Sequence, residues 1–189
     1  PDARQPIPVP CPLPSPRGDL PSWSPPTGLA HGFQELTRTT IIVVRSTLPG
    51  ADVEMWGAGG GGGGGSEESS TEGGAGGGGG ASGGYARGAV PLDPAKQHIV
   101  IIGAGGSGGR PRYSGQQGGD SALCENATAV LLAQGGPGGV GAMSNESGGA
   151  GGRWRPSSVH DSELEGALQR RGHDGYPGSR PLFEYRGLG

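Results

Sequence analysis

Apolar side chains in this chain gather in a few short runs, each fenced by glycine or proline. Thr39-Thr-Ile-Ile-Val-Val-Arg45 is rich in β-branched residues and reads as a strand. Pro49-Gly50 marks a turn, and Val53-Glu-Met-Trp56 then alternates apolar with polar positions as a second strand does. His98-Ile-Val-Ile-Ile102 and Ala129-Val-Leu-Leu-Ala133 are two further runs of strand length. Near the C-terminus, Leu182-Phe-Glu-Tyr185 reads as a closing strand, a candidate partner for 41–44 or 53–56. The only helical signal is Ser162-Glu-Leu-Glu165, which has capping-box spacing. With Gly172 as a stop it predicts a short helix over 163–171, weakened by Gly166.

Between these runs the chain is glycine. Of 45 glycines, 35 fall between Gly57 and Gly152, in runs over 57–65, 73–80, 103–109, 115–119, 135–141 and 148–152. The intervening segments alternate in kind. Ser66–Glu72, Arg110–Ser114 and Ala142–Ser147 are polar, whereas 81–102 and 120–134 carry the apolar runs. A flexible linker has no reason to alternate in this way. Antiparallel glycine segments do, because they send the polar inserts to one end and the strands to the other. Polyglycine without internal hydrogen bonds must pair laterally with its neighbours. The expected fold class is therefore mainly β and irregular: a polyglycine-II helix bundle on a small antiparallel β base, with an extended proline-rich N-terminal arm.

The arm is set apart by composition. Ten of the eighteen prolines fall by Pro26, and Pro6, Pro8, Pro10, Pro12, Pro14 and Pro16 alternate with small or apolar residues. Such a segment favours extended polyproline II. The reading is an arm over 1–30 that straps a neighbouring subunit, using those prolines and Trp23. A glycine-rich domain follows over 31–189, with 153–172 as an insertion that holds the short helix. Trp56, Trp154 and Tyr185 are expected to cap the apolar base, since the chain has little else to bury.

Net charge is −3, and Lys96 is the single lysine among fourteen basic residues. That distribution forms no basic patch for phosphates and argues against nucleic acid as a partner. Cys11 and Cys124 make no metal-ligand spacing and no disulfide framework, and sparse cysteine usage favours free thiols over a bridge between them. No apolar run reaches signal-peptide or membrane-span length, and Pro1 suits the position after a removed initiator Met. The chain is expected to be soluble, full length and without membrane insertion.

Several signals tempt a chemical reading. Ile99-Val-Ile-Ile-Gly-Ala-Gly-Gly-Ser-Gly108 fits a strand followed by the dinucleotide fingerprint, but Gly109 and Pro111 deny it the helix that holds a pyrophosphate. His160-Asp161 and His173-Asp174 lack a third ligand at metal spacing and read as solvated loops. No catalytic residue, metal or cofactor is expected. Asn126-Ala-Thr128 and Asn145-Glu-Ser147 match the glycosylation acceptor pattern without other support. The polar inserts combine planar, polar and charged groups that suit carbohydrate or protein surfaces. Glu67, Glu68, Arg110, Arg112, Tyr113, Gln116, Gln117, Asn145 and Glu146 are the receptor-binding candidates.

The order of blocks Val53-Glu-Met-Trp-Gly-Ala-Gly-Gly-Gly60, Gly83-Gly-Tyr-Ala-Arg-Gly88, Ile99-Val-Ile-Ile-Gly-Ala-Gly-Gly106 and Gly118-Gly-Asp-Ser121 resembles the glycine-rich domain of tailed-bacteriophage tail-fibre and tail-tip proteins. The Asp174-Gly-Tyr-Pro-Gly178 cluster and the Phe183-Glu-Tyr185 end are similar to that domain's close, so the likeness covers about 31–185. The resemblance implies polyglycine-II packing, location in a virion assembled in the host cytoplasm, and host-surface recognition through tip loops. The proline arm and the 153–172 insertion depart from it.

The expected function is therefore a non-enzymatic structural protein of a tailed phage, in a tail fibre, tail tip or baseplate, that contacts the host surface. Other virion proteins would be its partners through the arm, in multiple symmetric copies. The alternatives are a capsid-decorating virion protein, a disordered glycine-rich protein that binds RNA or condenses, and a secreted glycine-rich wall or ectodomain protein.

Overall fold

The computed structural model describes residues 10–11, 22–23, 34–43, 48–66, 74–126, 128–143, 168–170 and 172–179. Among them lie eight strands: β1 (Ser22–Trp23), β2 (Thr40–Ile42), β3 (Leu48–Trp56), β4 (Tyr85–Leu92), β5 (His98–Ile101), β6 (Ser121–Glu125), β7 (Thr128–Ala133) and β8 (Leu168–Arg170). They form a five-stranded sheet in the order β1-β2-β5-β6-β7 and a three-stranded sheet in the order β3-β4-β8. Every pairing is antiparallel except β1 with β2.

The strands form where alternation or β-branching lets one face be buried. In β4, Ala86, Gly88, Val90 and Leu92 point inward while Arg87, Ala89 and Pro91 point to solvent. β6 and β7 pair as far as Glu125 and Thr128, and just after β6 Asn126 adopts a φ of 46°, a conformation asparagine tolerates better than most residues. Asn126 also accepts a hydrogen bond from the Gln97 N–H at its Oδ1 (3.1 Å) and donates its own N–H to the Gln97 carbonyl (3.0 Å). These bonds tie the start of β5 to the end of β6.

The core lies between the sheets. Met55, Ala86, Val90 and Leu92 from the three-stranded sheet meet Ile42, Val100, Leu123, Leu131 and Ala133 from the five-stranded one. Leu123 and Leu131 are 0% and 1% exposed, and full burial of such a side chain contributes about 1.5–3 kcal/mol each. His98 is buried with them. Its Nε2 lies 3.0 Å from the Asp93 carbonyl, and its Nδ1 has no hydrogen-bond partner among the described residues.

This architecture corrects the expected class. The described residues form a small antiparallel β domain with no helix, and a polyglycine-II helix bundle is not seen. The physical reason is that the ladders reach further than the apolar runs. Long β3 and β4 pair along Ala51–Trp56, and short β8 joins the far side of β4. The predicted helix over 163–171 is likewise corrected at its end, where Leu168–Arg170 is a strand. A free edge of β4 takes these residues because sheet bonding there outweighs a weak helical propensity broken by Gly166. Pro49-Gly50 is not a turn between elements; it lies inside β3, at a register shift between Leu48 and Ala51. Among the described residues the partner of β3 is β4, and those of β2 are β1 and β5; the predicted closing strand 182–185 lies outside the described residues. Cys11 and Cys124 are joined as a disulfide, with their Cα atoms 5.9 Å apart, against the expected free thiols.

The glycine segments connect the strands as extended chain bonded sideways. Residues 57, 60 and 63 donate to the carbonyls of 84, 81 and 78. Residues 58, 61 and 64 donate to those of 119, 116 and 113, and their own carbonyls accept from 136, 139 and 142. The carbonyls of 59, 62 and 65 accept from 106, 109 and 112. Every third residue of 57–65 therefore faces the same neighbour, which satisfies backbone groups that have no ladder partner. The segment 172–179 joins the outside of 74–84 through bonds from 76, 79 and 82 to the carbonyls of 179, 176 and 173.

Candidate binding surface at the loop end

These bonds fix which residues share an end. At the end away from the sheets, Ser66 N–H donates to the Ala75 carbonyl (2.9 Å), and the Ser66 Oγ accepts from the Ala75 N–H (2.7 Å). Arg112 N–H donates to the Gly65 carbonyl (2.8 Å), and Ala142 N–H to the Gly64 carbonyl (2.9 Å). The Arg110–Ser114 turn therefore stands at the same end as Gly64–Ser66, Ala75 and Ala142.

The turn itself is tightly specified. Tyr113 N–H donates to the Arg110 carbonyl (2.9 Å), Pro111 supplies the fixed φ of the second position, and Arg112 at the third has a φ of 66°. That position normally takes glycine or asparagine. A long charged residue held there is backbone strain of the kind that gathers at functional sites. Arg110, Arg112, Tyr113 and Ser114 are all exposed, and Tyr113 retains 70% of its surface.

Gln116 and Gln117 are also exposed, but they lie along the flank below the turn, where Gln116 N–H donates to the Ser107 carbonyl (2.9 Å). Glu67, Glu68, Asn145 and Glu146 lie outside the described residues. So do Pro6, Pro8, Pro12, Pro14 and Pro16 of the predicted arm. Pro10 forms an isolated bridge to Thr128, and Trp23 pairs with Ile42 in β1, so both described pieces of the arm rest on this chain's own sheet.

The family comparison matches this chain, over residues 36–188, to the family described as "Glycine-rich domain". The chain belongs to this glycine-rich domain family. A comparison with curated proteins finds no match.

Within this glycine-rich domain, sequence reasoning missed two exposed apolar residues beside the turn. Val140 and Met143 are 36% and 81% exposed. A Cβ on Gly141 would meet the Arg112 and Tyr113 backbone, which brings that segment against the turn. The available signal was their position: isolated apolar residues at the far end of a glycine segment have no core to enter. Trp56 was expected to cap the apolar base, yet it is 62% exposed and lies tilted against Tyr85, with ring centroids 5.2 Å apart and ring planes 54° apart. Trp154 and Tyr185 lie outside the described residues. Nothing helical follows Gly103-Ala-Gly105-Gly-Ser-Gly108, which runs extended beside 57–65.

The ion pairs of Arg87 and Lys96 lie at the sheets. Arg87 bonds Asp52 through Nε (3.1 Å) and a second nitrogen, and pairs with Glu54 at 3.3 Å. The Arg87 hydrogen bond holds the Asp52 carboxyl below its ordinary range, while Asp52 pushes the Arg87 guanidinium up. Glu125 raises Lys96 in the same way through a 2.9 Å ion pair. Among the described residues no group of three or more metal-ligating side chains is found.

Proposed function

We propose that this domain is a non-enzymatic structural module of a tailed-phage virion, placed in a tail fibre, tail tip or baseplate, and that its loop end contacts the host surface. The observation that carries the reading is the division of the molecule into two ends. Laterally bonded glycine segments separate the sheets from an exposed turn whose Arg112 is held in a costly backbone conformation. A scaffold of this kind positions side chains without forming a pocket. Arg110, Arg112 and Tyr113 supply planar donors and an aromatic face, which suit carbohydrate or protein surfaces. The block order of the sequence, which resembles tail-fibre and tail-tip domains, supports the virion setting, with other virion proteins as partners.

The test has two parts. Antibody labelling of purified particles is expected to mark the tail. Alanine at Arg110, Arg112 and Tyr113 together is expected to leave the circular dichroism spectrum unchanged and to abolish attachment of particles to host cells. Wild-type attachment by the triple variant overturns the contact role, and unlabelled particles overturn the virion role.

A further inference from the structure

We propose that the Cys11–Cys124 bridge is a redox-set fastener that holds Pro10 and Cys11 on the apolar outer face of the five-stranded sheet. The proposal is independent of the virion reading. Ile101, Ala122 and Cys124 are buried on a face that does not belong to the core between the sheets, with Ile99, Ala129 and Leu132 half-buried around them. Cys11 packs against this cluster and is bonded to it. Pro10, next to it, bridges to Thr128 at the start of β7. Two neighbouring attachments thus hold a segment remote in sequence, 113 residues from Cys124, on an apolar surface. Cys124 pairs with Ile99 and Ala129 in the sheet through backbone bonds that do not involve its sulfur, and the lateral glycine bonds run between other residues, so the rest of the domain keeps its bonding when the bridge opens.

The two cysteines differ in access: Cys124 is 1% exposed, whereas Cys11 is half-buried. Fastening therefore begins at Cys11. Its thiolate attacks one sulfur of a low-molecular-weight disulfide and expels one thiol. The Cys124 thiolate then attacks the Cys11 sulfur and expels the second thiol. Two protein thiols are oxidised, one external disulfide is reduced, and the two protons pass to the leaving thiolates. External thiols reverse both steps. A chain made in a reducing compartment is thus unfastened, and it closes on reaching an oxidising exterior.

The test uses the full chain, treated either with glutathione disulfide or with dithiothreitol. After oxidation, trypsin is expected to release residues 5–17 covalently linked to residues 113–153, a species lost on reduction. Amides of 121–133 are expected to exchange faster in the reduced form by about tenfold more than those of 57–65, which gain only from the lower global stability. Cys11→Ser is expected to reproduce the reduced pattern without reductant. Iodoacetamide labelling of both cysteines after oxidation overturns the bridge. Equal exchange of 121–133 in the two forms overturns the covering role. A reduced chain in which 57–65 exchanges faster to the same degree also overturns it, because the bridge then holds the whole fold and fastens no single face.

Discussion

The backbone of Gly61 lies against the Ser107 carbonyl with no room for a Cβ between them. Its neighbours repeat the relationship, Gly60 against the Pro137 carbonyl and Gly63 against that of Val140. Gly61→Ala is therefore expected to lower stability by about 1–3 kcal/mol or more, since the opposing atoms are backbone and cannot turn aside. Gly105 is the matched control, with nothing within 4 Å of an added Cβ. Gly105→Ala is expected to be neutral or to stabilise by about 0.4–1 kcal/mol through the unfolded chain. Thermal melts of the two variants check the contrast, and equal effects would remove close packing as the reason for glycine here.

Arg112 pays a conformational penalty that glycine would not. Replacement by glycine removes about 1–2 kcal/mol of left-handed strain and adds back a similar entropy cost. Arg112→Gly is expected to change unfolding free energy by less than about 1 kcal/mol. Arg112→Val, which keeps the strain and adds branching, is expected to lower stability by about 1–2 kcal/mol. Under the host-contact role proposed above, both variants are also expected to weaken attachment of particles to host cells, since both remove the guanidinium.

Loss of the Cys11–Cys124 bridge frees a long loop in the unfolded chain. Cys11→Ser is expected to lower unfolding free energy by about 2–5 kcal/mol in non-reducing denaturant titrations, and to have no effect when reductant is present.

Asp52 offers a pH signature. Its carboxyl titrates below the ordinary value of 3.8 because Arg87 bonds the charged form. A depressed folded value means that the contribution to stability is fully present above the unfolded value and is lost as pH falls through the folded one. Both partners are about half exposed, so the pair adds little at neutral pH. Arg87→Ala is expected to return the Asp52 carboxyl resonance to an ordinary titration in NMR, while the melting temperature at pH 7 barely moves.

The sequence signals that succeeded were local and apolar. Thr40–Ile42, Val53–Trp56, His98–Ile101 and Thr128–Ala133 are strands in or near runs of β-branched or apolar residues. β4 escaped because Gly88 and Pro91 lower strand propensity, although its alternation of Ala86, Val90 and Leu92 with exposed positions was already present. β8 escaped because Ala167-Leu-Gln-Arg170 has helical character, and only the edge of β4 makes it a strand. The disulfide had no local trace, since its halves stand 113 residues apart and each looks like a lone cysteine. In the candidate surface, Arg110, Arg112 and Tyr113 were legible as a polar insert. The positive φ of Arg112 and the neighbouring Val140 and Met143 were not, because both follow from how separate segments are laid together.

The division of 57–65 into three interleaved sets, each bonded to its own neighbouring segment or, for 58, 61 and 64, pair of segments, has a consequence for how such a domain can grow. Adding one residue to that segment hands every later donor and acceptor to the wrong partner, whereas adding a triplet restores the original assignments one repeat further along. Length variation in these segments should therefore proceed in steps of three residues, matched across adjoining segments. The reach of the exposed end would then change in discrete increments of height.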